Sequence, residues 1–325
     1  MSSLASTAPT RADIEAAARR VRGIAFHTPM VRADWLSDVA HAEVWLKLEA
    51  TQTTGSFKLR GAANAIAVIA AERPHVRRIM TASAGNHGRA VAYAARRAGL
   101  AARIYVPASA PAVKRNAMVR LGAEVIETAS YDDAEARAQA EGAREDTAFV
   151  SAYSHRDIIA GAGTVALEMF EDVPGLDTII APIGGGGLIS GSAIVARSLG
   201  RDTRVIAAEA AASPVFTAAL AAGRVTTVNV GPSLADGLVG NIESDTQTFD
   251  IVRRLVDRVV SVDEPSFARA MRELIQREQL VSEAAGAAGV AAILQGAADV
   301  RGRHVGVVLS GRNVDADVIA RVLSA

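Results

Sequence analysis

The sequence predicts an α/β protein of open, twisted, mostly parallel sheets flanked by helices. Three observations carry this. Short β-rich runs alternate with alanine-rich helical stretches along the chain. The strand runs are apolar almost throughout, as in a parallel sheet covered on both faces. Aromatic residues make up only 4% of the chain, and the many alanines fit closely spaced helix–sheet layers.

In chain order, strands are expected at Glu43–Glu49, Arg78–Ser83, Ala102–Val106, Glu124–Glu127, Asp177–Ile183, Val205–Glu209, Arg258–Val262 and Val305–Ser310. The N-terminal stretch turns into an amphipathic helix by Ile14. Later helical segments include Ser56–Glu72, Asn86–Arg97, Asp132–Gly142, Ala162–Phe170, Ile189–Leu199, Phe267–Gln279 and Ala284–Leu294. Residues 77–152 read βαβαβαβ and are expected to form a small sheet of their own. That makes them an insertion into a larger domain built from residues 1–76 and 153–325.

Composition narrows the function. With 325 residues, the chain has room for about two domains. Its 35 basic and 35 acidic residues balance, which gives no electrostatic reason to expect a nucleic-acid or membrane partner. The absence of cysteine excludes disulfides, thiolate metal sites and a thiol nucleophile. No secretion-type apolar core opens the chain and no run of 18 apolar residues occurs, so a cytoplasmic protein is expected. The basic residues divide into 32 Arg and three Lys: Lys47, Lys58 and Lys114. Lysine can lose its proton and act as an amine nucleophile, which arginine cannot. Lys47 lies in an apolar strand and reads as structural. Lys114 lies in a polar helix and reads as solvated.

Four motifs sit where strands end and helices begin, the place at which α/β folds bind ligands. In the first, Thr53 to Gly61, Gly55 permits an unusual turn, Ser56 is a candidate N-cap, and Lys58 falls in the first helical turn behind Phe57. There the helix dipole and burial favour a neutral amine. The second, Ser83-Ala84-Gly85-Asn86-His87-Gly88, offers backbone N–H groups to an anion such as a carboxylate. In it Asn86 is a neutral donor, and His87 is better read as a packed histidine than as a ligand. In the third, Gly184 to Gly187 followed by Leu188 suits a phosphate cradle or a tight turn, and its spacing matches neither a dinucleotide fingerprint nor a P-loop. The fourth, Leu309-Ser310-Gly311-Arg312-Asn313, places a hydroxyl at the end of the last strand. A lone amine beside a phosphate cup is what pyridoxal 5′-phosphate requires, because its aldehyde condenses with a lysine.

On the motifs TGSFKLRGA, SAGNHG, IAGAGTVALE, PIGGGGL, ADGL, SEAAGAAG and LSGRNVD, the chain resembles the serine/threonine dehydratases (threonine ammonia-lyases). These are fold-type II, tryptophan synthase β-like pyridoxal-phosphate enzymes with two domains. The resemblance implies that Lys58 carries the cofactor and then acts as base at the substrate's Cα, with Phe57 near the ring. It implies that Gly184, Gly185, Gly186, Gly187 and Leu188 hold the phosphate, Asn86 the 3′ oxygen and Ser310 the pyridine nitrogen. Gly237 and Glu283 lie close to the cofactor in this reading, and Ser83, Ala84, Gly85, Asn86 and His87 line the substrate carboxylate. The implied reaction converts a β-hydroxy L-amino acid, threonine or serine first, to a 2-oxo acid and ammonia. A homodimer or homotetramer is implied as well.

Four departures sharpen the expectation. Ala84 stands where racemases of the group carry a second serine, so poor racemisation is expected. Glu209 matches the start of a divalent-cation site, but Val215 replaces its acidic partner, and no metal is expected. Arg312 replaces a usual glycine near the ring-nitrogen pocket. No regulatory domain follows the last motif, so feedback inhibition by isoleucine is not expected. Alternatives are a dehydratase for a bulkier or acidic substrate (3-phenylserine, 3-hydroxyaspartate), for which Ala84, Val239 and Gly240 would leave room, and an amino-acid racemase. A non-catalytic binding protein or a nucleotide-binding oxidoreductase is disfavoured by Lys58 and by the glycine spacing.

Overall fold

A computed structural model describes residues 8–200 and 202–324. The first half runs α1 (Arg11–Val21), β1 (Met30–Arg32), α2 (Asp34–Ala40), β2 (Glu43–Lys47), α3 (Lys58–Glu72), β3 (Arg78–Ala82), α4 (Asn86–Arg97), β4 (Ala101–Pro107) and α5 (Ala112–Arg120). Next come β5 (Glu124–Thr128), α6 (Tyr131–Gly142), β6 (Thr147–Phe149), α7 (Arg156–Asp172), β7 (Thr178–Pro182), α8 (Gly187–Ser198), β8 (Arg204–Ala210) and α9 (Val215–Ala222). The chain ends with α10 (Gln247–Leu255), β9 (Arg258–Val262), α11 (Glu264–Glu278), α12 (Ala288–Leu294), β10 (His304–Val308) and α13 (Ala316–Ser324).

Two sheets result, as the α/β reading requires. The larger has the order β1-β2-β10-β7-β8-β9, parallel except for β1 at the edge. The smaller has the order β5-β4-β3-β6 and is parallel throughout. All five residues of β7 are buried, because helices cover both faces of the sheet. The last strand lies in the middle: Val305 pairs with Val44 on one side and Thr178 on the other. That topology brings the loop after β10 beside the loop after β2. The backbone N–H of Phe57 donates to Ser310 O at 3.0 Å, and Ser56 bridges Gly311.

Glycine sets the helix spacing around α3, α7 and α8. A Cβ on Gly191 of α8 would stand 2.6 Å from Gly163 Cα of α7, so these two helices meet backbone to backbone. The IAGAGT motif therefore has a packing reason in addition to any functional one.

Several boundaries differ from the sequence reading. Ser56 does not cap α3; Phe57 precedes its first residue, and the buried Ser56 hydroxyl has no partner among the described residues. Residues 284–287 form a turn ahead of α12, at a place where a Cβ on Gly286 would stand 2.4 Å from the Gly311 carbonyl oxygen. The edge strand β1 and helices α2, α9, α10 and α13 join the expected set. Lys47 is fully buried, donating to Thr28 O at 2.6 Å and pairing with Glu168 at 2.7 Å, in keeping with a structural role. Lys114, read as solvated, instead pairs with Asp236 at 2.5 Å across a cleft.

Candidate active site

Lys58, Phe57, Asn86, His87, the four glycines Gly184 to Gly187, Leu188, Gly237, Glu283 and Ser310 line one cleft of about 700 Å³. They come from the ends of β2, β3, β7 and β10 and from two later loops, which is where a parallel α/β sheet gathers ligand groups. Residues 83–85 form the β3–α4 turn next to it without lining it. There the Ser83 hydroxyl accepts the N–H of Gly85 at 3.2 Å, fixing the turn. Val239 and Gly240 do not line the cleft either, and Gly240 is tied back to Ser213 through its N–H at 3.1 Å.

Lys58 opens α3, and its amine donates to the carbonyl of Ala152 at 2.8 Å. Desolvation in the cleft draws its pKa down to about 8, opposed in part by the charge of Glu283. A lysine so placed spends an appreciable fraction of its time as a neutral amine near neutral pH. Burial raises the Glu283 carboxyl to about 7, while the Asn86 amide, donating to it at 2.6 Å, favours its ionised form. His87 is buried, its Nε2 lies 3.2 Å from Val150 O, and burial together with Lys58 lowers its pKa to about 3. It is thus a neutral, packed histidine, although its Nδ1 finds no partner among the described residues.

Gly184 to Gly187 run from the end of β7 into the first turn of α8, with Gly186 at φ 89°. Backbone N–H groups at the start of a twelve-residue helix suit a phosphate. Side chains are excluded there by neighbours: a Cβ on Gly185 would fall within the ring of Tyr153, and one on Gly184 would lie 3.0 Å from Gly237 O. Tyr153 and Ala152 had no sequence signal, because YSHRD contains neither a glycine turn nor a paired titratable motif. Only the fold carries them to the glycine cup and to Lys58.

Glu209 is buried, and its carboxylate accepts the N–H groups of Phe216 at 3.1 Å and Thr217 at 3.4 Å, as well as the Thr217 hydroxyl. It caps α9 with oxygens that a cation would need. Among the described residues no three His, Cys, Asp or Glu side chains converge as metal ligands. Arg312 is exposed and does not line the cleft; its backbone N–H holds Gly55 O at 2.9 Å. No helix among the described residues is long and apolar enough to cross a membrane.

The family model for pyridoxal-phosphate dependent enzymes matches residues 21–311. The chain is 38% identical to the L-threonine ammonia-lyase of Thermotoga maritima over 97% of its own length and 78% of the relative's. It is 34% identical to the L-threo-3-hydroxyaspartate ammonia-lyase of Saccharomyces cerevisiae, over 97% of each chain. Among solved structures, maize serine racemase superposes with a TM-score of 0.89 at 32% identity, covering 98% of both chains. The chain therefore belongs to the pyridoxal-phosphate dependent enzymes of fold type II, within their serine/threonine dehydratase group. Pyridoxal phosphate is the cofactor of this enzyme, and the cleft fits it: a side-chain-free cup for an anion, a desolvated amine and a hydroxyl border one cavity.

Proposed function

We propose that the protein eliminates water from a small, neutral β-hydroxy L-amino acid, threonine or serine first, releasing a 2-oxo acid and ammonia. One observation carries the choice: Lys58 is the sole Lys or Arg lining the cleft among the described residues, and His87 beside it is neutral. A substrate with a second carboxylate would find no Lys or Arg beyond Lys58 on the cleft wall to pair with, and burying an unpaired charge is costly. The ammonia-lyase relatives support the reaction class, and Ala84, which offers no hydroxyl, speaks against the racemase alternative that the serine racemase likeness raises.

The residue roles belong to the same proposal. Gly184 to Gly187 and Leu188 hold the phosphate, Ser310 faces the pyridine nitrogen, Asn86 faces the 3′ oxygen, and Phe57, Gly237 and Glu283 border the ring. The turn from Ser83 to His87 orients the substrate carboxylate with backbone N–H groups. The bound cofactor supplies an electron-withdrawing ring conjugated to Cα. Lys58 Nζ, neutral once the substrate is bound, takes the Cα proton. The β-hydroxyl leaves with a proton as water, and the released enamine tautomerises and hydrolyses to the 2-oxo acid and ammonia. Residues 77–152 form an inserted domain, residues 1–76 and 153–325 carry the cofactor, and the enzyme is a cytoplasmic homodimer or homotetramer.

A substrate panel tests this: L-threonine, L-serine, 3-hydroxyaspartate and 3-phenylserine, read out as keto acid, ammonia and chirality of the remaining substrate. Threonine or serine is expected to give the highest kcat/KM with little D-isomer. Preference for hydroxyaspartate, or D-serine formed as fast as keto acid, overturns the reading.

A further inference from the structure

A single hydrogen-bonded chain runs from α4 to the cleft. Arg89 Nη1 donates to Asn313 Oδ1 at 2.5 Å, Asn313 Nδ2 donates to Asn86 Oδ1 at 2.6 Å, and Asn86 Nδ2 donates to Glu283 Oε1 at 2.6 Å. Asn313 Nδ2 also reaches Thr54 O at 2.9 Å, in the loop that leads to Lys58. Its direction is set at both ends, by a guanidinium that can only donate and a carboxylate that accepts when ionised. Asn86 itself lines the cleft; with its carbonyl taken by Asn313 and one N–H given to Glu283, its second N–H is the one polar group of the amide left for a ligand.

The surroundings leave room for these side chains and no more. Gly55 has φ 76°, and a Cβ there would lie 2.7 Å from Asn313 Oδ1; a Cβ on Gly311 would lie 2.0 Å from Glu283 Oε1. Arg89 is half-buried, and its hydrogen bond to Asn313 is the one that anchors it among the described residues. Beyond the chain lies a second cavity of about 530 Å³, whose wall includes Glu283, Asn313, Lys114, Asp236 and Asp315. Charged groups around Glu283 are Lys58 from α3, Arg89 from α4, Lys114 from α5 and Asp236 from the loop before α10. Arg89 and Lys114 hold its proton affinity down, and Asp236 holds it up.

We propose that Arg89 is a positioning residue which, through Asn313, fixes the Asn86 amide as a hydrogen-bond donor into the Lys58 cleft and keeps Glu283 as the acceptor at the end of the chain. This rests on the cofactor reading above, in which Asn86 faces the 3′ oxygen. Arg89 touches neither cofactor nor substrate. It acts by orientation: without the Asn313 donor, Glu283 alone holds the Asn86 amide, and a protonated Glu283 lets the amide turn and present its carbonyl instead.

The test compares wild-type holoenzyme with Arg89→Met, Arg89→Lys and Asn313→Asp, each loaded with pyridoxal phosphate. Three readouts are taken: the visible circular dichroism of the bound cofactor, the pH midpoint of its visible absorption band, and kcat against KM. Arg89→Met and Asn313→Asp are expected to lose dichroic amplitude, move the midpoint to higher pH, and lower kcat by ~10-fold or more while KM changes by less than about threefold. Arg89→Lys, which keeps a charged donor, is expected to retain most of the wild-type signal. Should Arg89→Met fail to fold, Arg89→Gln serves in its place: it keeps an N–H donor without the charge, so dichroism is preserved and the midpoint still rises. Arg89→Met and Asn313→Asp proteins that bind the cofactor with wild-type dichroism and midpoint, or an Arg89→Gln protein with the wild-type midpoint, overturn the proposal. A wild-type protein with no visible band overturns the cofactor reading and the proposal with it.

Discussion

The amine of Lys58 donates to the carbonyl of Ala152 at 2.8 Å, so the first residue of α3 is held by the segment that leaves the smaller sheet and enters α7. Replacing Lys58 by alanine removes the amine together with this hydrogen bond. Lys58→Ala is expected to lose roughly 10³-fold or more in turnover. Wild-type protein loaded with pyridoxal phosphate is expected to show a visible band that borohydride abolishes with modification of Lys58. The variant should show no borohydride-fixed label by mass spectrometry.

Gly185 has no space for a side chain against Tyr153. Gly185→Ala is expected to weaken cofactor affinity by about ten- to a hundredfold, the usual scale of overpacking. Adding Tyr153→Ala should recover part of that loss. Fluorescence titration with pyridoxal phosphate measures both, and equal affinities for Gly185→Ala and wild type would refute the cup assignment.

The Glu283 carboxyl has an ordinary value of 4.5 in the unfolded chain and is raised to about 7 by burial. Between those pH values the native state holds more protons than the unfolded one, so this group's contribution to stability falls as pH rises. Glutamine does not titrate. The stability of Glu283→Gln relative to wild type should therefore climb from pH 4.5 to about 7, by up to roughly 3 kcal/mol. Urea unfolding at a series of pH values measures the difference, and parallel curves would contradict it.

Arg60 is fully buried and pairs with Glu49 at 2.7 Å and Glu168 at 2.6 Å, joining α3 to the loop after β2 and to α7. Arg60→Met leaves the buried Glu49 without its cation and Glu168 with Lys47 alone. A loss of about 3–5 kcal/mol is expected, the scale for removing one side of a buried pair. A chemical denaturation midpoint within error of wild type would show that the cluster relaxes without it.

Much of the site was readable in one dimension, for reasons that differ by residue. Lys58 stood out because the chain has 32 arginines and only three lysines, and Gly184 to Gly187 because consecutive glycines are entropically costly. Helix α4 and strand β9 have the expected ends, since each is bounded by a local signal. Ser56 misled: its N-cap composition was overridden by the bridge to Gly311, a partner some 255 residues away. Lys114 looked solvated because nothing near it in sequence hints at Asp236.

Local chemistry is written in the residue order: the α/β class, the amine, the glycine cup and the absent cysteines follow from neighbouring residues and their spacing. Juxtaposition is not. Strand β10, last in the chain, enters between β2 and β7, which sets Ser310 beside Phe57, and the packing of α4 against the loop after β10 completes the row of Arg89, Asn313, Asn86 and Glu283. The reason is physical. Backbone conformation depends on adjacent side chains, whereas contacts between distant segments depend on how buried faces pack, which only the folded chain settles.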